Sequence, residues 1–434
     1  MKRILFILAC LFFAWMPLAA EIENNSMNEK GTMESIKKEV TDEMGDYKRD
    51  HPLTANYLPD IRISGNNGIA LFRFTEDAFI HFIAPHLKGV FGHVIGTGWN
   101  MATVYLFTLW PHEFGHWMRA EEIGIKFKFH NYMPFFPHTT IEIPEGRVLT
   151  NEEAALVSVA GFEVNTYIKK SIAQELYSNG YGYSGDLSLA MVNSLFMPIY
   201  SFLVIPRNPE DPEVWRLTAG DPVHSILPVY KRYTGREPIG RNGVVDPELV
   251  KLYHTTTILS AVMPLTDPLL YMGILEDIKR KDSRKMRRIN PFILLGDRQL
   301  GYTYGTNFNP SPLGYEIYFI NYIFINKKLI DLFLKLGGPM LNQSIAVCLP
   351  NILDIYNFSF GPRIEIWNQS DTGVGGVLSA KIGYSFFEGK AKVWVEPGYK
   401  TKGYSLGLPI KDGFHMIFGL TISFAPNAKY VDHL

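Results

Sequence analysis

Two histidines four residues apart, with a glutamate beside the first, are the chain's clearest chemistry: His112-Glu113-Phe114-Gly115-His116, an HExxH motif. Residues i and i+4 share one face of a helix, so His112 and His116 can hold a single zinc ion while Glu113 faces a water on that ion. Zinc lowers the pKa of such a water from about 15.7 to about 7, and an adjacent carboxylate can take its proton as it attacks a carbonyl. The spacing therefore predicts zinc-dependent hydrolysis, with His112 and His116 as ligands and Glu113 as general base.

The elements around the motif must place these side chains. Val104 to Trp110 is almost wholly apolar and runs into the motif without a break, which predicts a buried or membrane-embedded helix. Two imidazoles and a carboxylate left there without partners would cost several kcal/mol, so a metal is expected. Pro111 precedes the first ligand and predicts a kink where a ligand or water could enter, and Gly115 leaves room for a close neighbour. Downstream, Thr150-Asn-Glu-Glu153 reads as a capping box that opens a helix running through Glu163 and Asn165.

On these residues the sequence resembles the site-2 protease family of membrane metalloproteases. The likeness rests on His112-Glu-Phe-Gly-His116, on Gly124-Ile-Lys, on Ala160-Gly-Phe-Glu-Val-Asn165, and on Gly220-Asp221-Pro-Val-His224-Ser-Ile-Leu227, and it covers residues 95 to 230. Phe162 stands where the family has proline, Pro222 follows the aspartate where it has glycine, and Glu163 is acidic where it is apolar. The resemblance implies a membrane metalloprotease with Asp221 as third zinc ligand and with Asn165 orienting substrate or its carbonyl oxygen. It also makes Ser188 to Ile205 a core helix, with Asn193 and Pro198 approximating the family's NxxP segment.

The residues themselves leave the third ligand open. In soluble zincins a glutamate on a downstream helix completes the site, and Glu163 is such a residue. Asp221 is favoured, Glu163 is the alternative, and Asp267, in the apolar stretch Thr255 to Leu275, is a weaker third candidate. His81, His86 and His93 lie singly on apolar segments and read as satisfied core residues.

Charged residues are only 20% of the 434 against 47% hydrophobic, which leans toward a membrane-associated protein, and a formal net charge of −1 provides no basic field for nucleic acid. Residues 1–20 have a basic start, an apolar middle and small residues before Glu21, the layout of a secretory signal peptide. With Cys10 in that segment, Cys348 is left alone; an internal disulfide and a cysteine zinc site are both excluded. Residues 21–60 read as a polar, exposed lead, 61–278 as the helical metallopeptidase-like domain, and 279–290 as a basic linker able to meet anionic headgroups. Lys126 to His138 predicts a strand or hairpin near the site, suited to holding a peptide as an added strand or to lying at a membrane interface.

From residue 291 to 434 the pattern turns to period two. Expected strands include Tyr315 to Ile325, Ile345 to Leu349, Tyr356 to Trp367, Val377 to Phe386, Lys390 to Val395, Tyr404 to Leu408 and Phe414 to Phe424. In the last, Phe414, Met416, Phe418, Leu420, Ile422 and Phe424 face one way, opposite His415, Gly419, Thr421 and Ser423, as in a lipid-facing barrel strand. A soluble sandwich is the alternative. The expected fold is thus α+β: an N-terminal helical HExxH domain, then an antiparallel β-domain closed as a barrel. The expected protein is an exported cell-envelope zinc metallopeptidase acting on a peptide or protein substrate and touching membrane lipid, with the outer membrane favoured. An inner-membrane intramembrane protease is one alternative. A barrel or anchor protein with a non-catalytic metal-binding domain is the other. No motif sets the oligomeric state.

Overall fold

The computed structural model describes Arg49–Phe424, except for residues 57–58, 88, 132–136, 205–207, 218–220, 279–285, 289–292, 296–299 and 327. The signal-peptide-like stretch, most of the polar lead and most of the basic linker lie outside the described residues, as do residues 132–136 of the aromatic hairpin. The chain is α+β. Strand β1 (Arg49–Ala55) leads into α1 (Ile61–Ala78), then the 34-residue α2 (Gly89–Glu122), and a hairpin of β2 (Lys126–Asn131) and β3 (Pro137–Glu142). Helix α3 (Asn151–Asn179), β4 (Tyr181–Tyr183), α4 (Ser184–Val204), α5 (Pro212–Leu217), α6 (Asp221–Thr234), α7 (Pro247–Val262) and α8 (Pro268–Ile278) complete the helical part.

The remaining strands are β5 (Met286–Arg288), β6 (Ile293–Leu295), β7 (Leu300–Ser311), β8 (Gly314–Ile325), β9 (Lys328–Pro339), β10 (Asn342–Cys348), β11 (Leu353–Ile355), β12 (Phe358–Gln369), β13 (Gly373–Phe386), β14 (Ala391–Lys400) and β15 (Gly413–Phe424). They form one antiparallel sheet in the order β1-β15-β14-β13-β12-β10-β9-β8-β7-β6, with β11 on β12, while β5 pairs with β4. Barrel closure, expected from the period-two pattern, is not made: among the described residues β1 and β6 remain the edges of an open sheet. Helix α1 supplies partners where a closing strand would. The Asn67 side chain accepts from Thr54 N at 2.7 Å and donates to Thr54 O at 3.1 Å, and Arg73 Nη1 donates to Asp50 O at 2.5 Å.

Three further expectations change. The lead, expected as an exposed spacer through residue 60, contains Arg49–Ala55 as a sheet strand paired with β15. Part of the linker, Met286–Arg288, is strand β5. Tyr404 to Leu408 is no strand; it is buried in the β14–β15 connection, where Gly407 at φ +73 turns the chain and donates its N–H to Glu163 Oε1 at 2.8 Å.

Helix α3 is the axis of the molecule. Its capping box is made as expected: Glu153 N donates to Thr150 Oγ1 at 3.1 Å, and Thr150 N to Glu153 Oε2 at 2.9 Å. Seventeen of its 29 residues are buried, which marks a helix packed all round. One cluster joins Phe72 of α1, Val164 and Ile168 of α3 and Leu189 of α4 to Tyr318, Ile320 and Phe333 of the sheet. Helical and β parts therefore share a core rather than forming separate domains. No single helix among the described residues is long and apolar enough to cross a membrane; the pair Pro247–Thr266 and Pro268–Leu275, bent by 68°, passes by length and composition.

Candidate metal centre

His112 and His116 stand one turn apart on α2, and Asp221 is the first residue of α6. Their donor atoms converge. His112 Nε2 lies 3.3 Å from His116 Nε2 and 3.0 Å from Asp221 Oδ2, and His116 Nε2 lies 3.3 Å from that same oxygen. Ligands about 2.0–2.1 Å from a tetrahedral metal are separated by about 3.3 Å, the edge of that tetrahedron, so the triangle has the size such an ion requires.

The second nitrogen of each ring fixes which atoms face inward. His116 Nδ1 donates to the Val157 carbonyl at 2.7 Å, a partner that can only accept. His112 Nδ1 lies 2.7 Å from Asn165 Oδ1, while Asn165 Nδ2 donates to Thr108 O at 3.1 Å and Asn193 Oδ1 at 2.7 Å. That amide orientation makes Asn165 an acceptor toward the ring. With both Nδ1 positions protonated, both neutral imidazoles turn lone pairs on each other and on a carboxylate. Three acceptors in contact need a cation between them, and this donor set of two imidazoles and one carboxylate fits a divalent metal. In the metal-free chain a proton substitutes: burial opposes charge on His116, but the Asp221 and Glu113 carboxylates outweigh it and raise the group to about 9. Burial would raise Asp221, yet His116 and His112 hold it well below the usual carboxylate range.

Helix packing explains why the rings sit where they do. A Cβ on Gly161 would fall 2.4 Å from His112 Nε2, so this glycine is the seat of the imidazole. At Gly115 a Cβ would lie 2.7 Å from Ala160 O; the room it leaves is taken by the backbone of α3 rather than by anything at the metal. Phe162 and Phe196 hold their rings 5.0 and 4.9 Å from that of His112, walling one side with apolar surface. Gly161→Ala is expected to push His112 off its seat and weaken zinc binding by about 10–100-fold, the range for loss of outer support. Competition against a chelating dye measures it, and an affinity equal to the parent's would refute the seat.

Among the described residues, His112, His116 and Asp221 are the group whose ligand atoms could share a metal ion. Glu163 is not with them. It is fully buried and accepts from Arg119 Nε at 3.0 Å and Nη2 at 2.5 Å, which occupies both oxygens. Asp267 pairs with buried Lys169 and accepts from Leu269 N at 2.8 Å. Asn165 is placed against the His112 ring: its Oδ1 faces His112 Nδ1 and its two amide hydrogens go to Thr108 O and Asn193 Oδ1, so it orients a ligand. Asn193, an approximate match in the sequence, is the next link of that chain, donating to Thr108 Oγ1 at 3.2 Å and Leu189 O at 2.8 Å. His81 and His86 are exposed rather than core residues, and the His93 side chain lies outside the described residues.

Glu113 is half-exposed beside the cluster. Sequence reasoning missed Tyr200 on α4, whose ring lies 6.4 Å from that of His112. Burial pushes its phenol above the usual value, with Asp221 and Glu113 adding to the rise while a hydrogen bond with the Asp221 backbone lowers it. Its only sequence signal is the i, i+4 spacing from Phe196. A cavity of about 280 Å³, lined by Arg62, Tyr167, Lys381 and Glu396 among others, touches none of the three ligand residues. No family model, curated protein or solved structure matches the chain.

Proposed function

We propose that the protein is a zinc-dependent peptidase of the bacterial cell envelope. The observation that carries this reading is the triangle of His112 Nε2, His116 Nε2 and Asp221 Oδ2 with both Nδ1 protons committed elsewhere, next to the half-exposed Glu113. His112, His116 and Asp221 would hold the zinc, which supplies Lewis acidity and an acidified water. Glu113 receives the proton from the attacking water on its carboxylate and passes it to the departing amine. The Tyr200 ring lies 6.4 Å from that of His112, on the same side of the site as Asp221. Asn165 and Val157 keep the rings from rotating, and Phe162 with Phe196 keeps bulk water off one side. The preference for peptide over other acyl substrates rests on the HExGH and AGxxxN resemblance.

The test is metal stoichiometry combined with hydrolysis of a broad peptide library by the full chain. One zinc per chain is expected, with cleavage abolished by a chelator and restored by one equivalent of zinc. Folded protein without stoichiometric metal would overturn the reading.

A further inference from the structure

The sheet is inverted relative to a soluble one. Along β8 to β15, alternate side chains point to the helices or away from them, and the inward rows carry the charge. Glu316, Asp331, Lys335, Glu365 and Lys400 are all buried at 0–1%. Several pair with each other or with helices: Lys335 Nζ with Glu316 Oε1 at 3.3 Å, Arg62 of α1 with Glu396 at 3.0 Å, Lys170 of α3 with Asp331 at 3.6 Å. The outward rows are apolar. Phe319, Leu334, Ile345, Ile366, Leu378 and Phe418, one from each of six strands, are 40–59% exposed. In these outward rows of the described strands the only charged residue is Lys328, the first residue of β9. An antiparallel sheet with one wet face shows the opposite alternation.

We infer that the outward face of β8 to β15 lies against the acyl chains of a lipid bilayer, so that the sheet carries the metal-bearing helices on its other side, over a core that mixes apolar residues with paired charges. Three observations select lipid over a protein partner. Strands β8, β12 and β15 are each 12 residues long; at about 3.4 Å per residue and a tilt of about 45° they cover roughly 28 Å, the height of a hydrocarbon layer. Charge returns at both ends of this belt, with Lys328, Asp354, Glu388 and Lys390 at one end and Asp371, Lys402, Lys411 and Asp412 at the other. The belt is also too broad for one docking patch: seven strands about 4.8 Å apart span roughly 30 Å, which with a height of roughly 28 Å makes about 800 Å², above the roughly 300–600 Å² of an ordinary monomer's largest apolar patch. A bilayer further requires that strand-edge backbone be paired, and α1 meets that need at β1 through Asn67 and Arg73. The inference is independent of hydrolysis.

The full chain, with Cys10 and Cys348 replaced by Ser, would carry a single Leu378→Cys or Lys402→Cys change labelled with a fluorophore and be reconstituted in vesicles of phosphatidylcholine and phosphatidylglycerol. Lipids brominated on the acyl chain are expected to quench the label at Leu378→Cys about twofold or more and to leave Lys402→Cys nearly unchanged, with iodide acting the other way round. Quenching of Leu378→Cys by iodide but not by brominated lipid would overturn the inference, and so would protection from both, which would mean a second copy or another protein covers the face. Flotation of the unmodified chain guards against a label that disturbs folding. It is expected to rise with vesicles through a density gradient, and a monodisperse detergent-free monomer that stays at the bottom would sink the idea.

Discussion

Glu113→Gln is expected to keep its zinc and its fold while hydrolysis falls about 10²–10⁴-fold, the usual contribution of a positioned proton acceptor. Glutamine has the same shape but cannot hold the proton removed from the attacking water. The metal should stay because none of the three ligand atoms belongs to Glu113, and the two Nδ1 hydrogen bonds that orient the rings are untouched. The fold should stay because the side chain is half-exposed and glutamine keeps its shape and its hydrogen-bonding oxygen. Metal analysis and turnover are measured on the same preparation. Unchanged turnover with full zinc would remove Glu113 from the chemistry and leave a binding site without a base.

The second large effect separates Asp221 from Glu163. Asp221→Ala removes the oxygen 3.0 and 3.3 Å from the two imidazole nitrogens. It is expected to weaken zinc by more than about 100-fold, beyond the 10–100-fold typical of outer-support changes. Glu163→Ala should act on stability instead. It takes from the fully buried Arg119 the two carboxylate oxygens to which it donates, and from Gly407 N its acceptor. Because Arg119 keeps Glu122 at 2.6 Å, the cost is that of unsatisfied buried donors, about 1–3 kcal/mol, while zinc in the folded fraction should stay at the parent's level. Denaturant unfolding and zinc content of both variants decide it; zinc lost with Glu163 and kept with Asp221 would reverse the assignment.

Local chemistry was the legible part of this chain. The HExxH spacing, the Thr150–Glu153 box and the alternation from Phe414 to Phe424 each depend on neighbours within a turn or a strand, and each is found in place. Asp221 was named from a short segment and does stand against both histidines. What depended on distant partners was hidden. Nothing in the sequence around Glu163 announces Arg119, 44 residues away, as its partner. Val157 supports His116 through a backbone carbonyl, which any residue there could supply. Asn165 was named from its motif, but its hold on the His112 ring depends on Thr108 and Asn193, which lie across helix contacts. The open sheet was masked for the same reason: period two reports which side a residue faces, and not whether the last strand meets the first or a helix.

The pairing of β1 with β15 also dictates an order of assembly. Arg49 stands opposite Phe424 and Ala55 opposite Phe418, so this seam joins stretches that leave the ribosome far apart in time. Bringing ends together over so long a segment costs conformational entropy before any contact rewards it. Until β15 arrives, β1 leans on α1, α4 and β4, through Arg49 to Asp77 at 2.6 Å, to Asp186 at 3.0 Å and over the Tyr183 ring at 4.5 Å, and through His51 stacked at 4.3 Å on Phe74. A chain cut short before Gly413 leaves that strand half-paired with its hydrogen-bonding edge bare, a ready mark for the proteases that clear unfinished products.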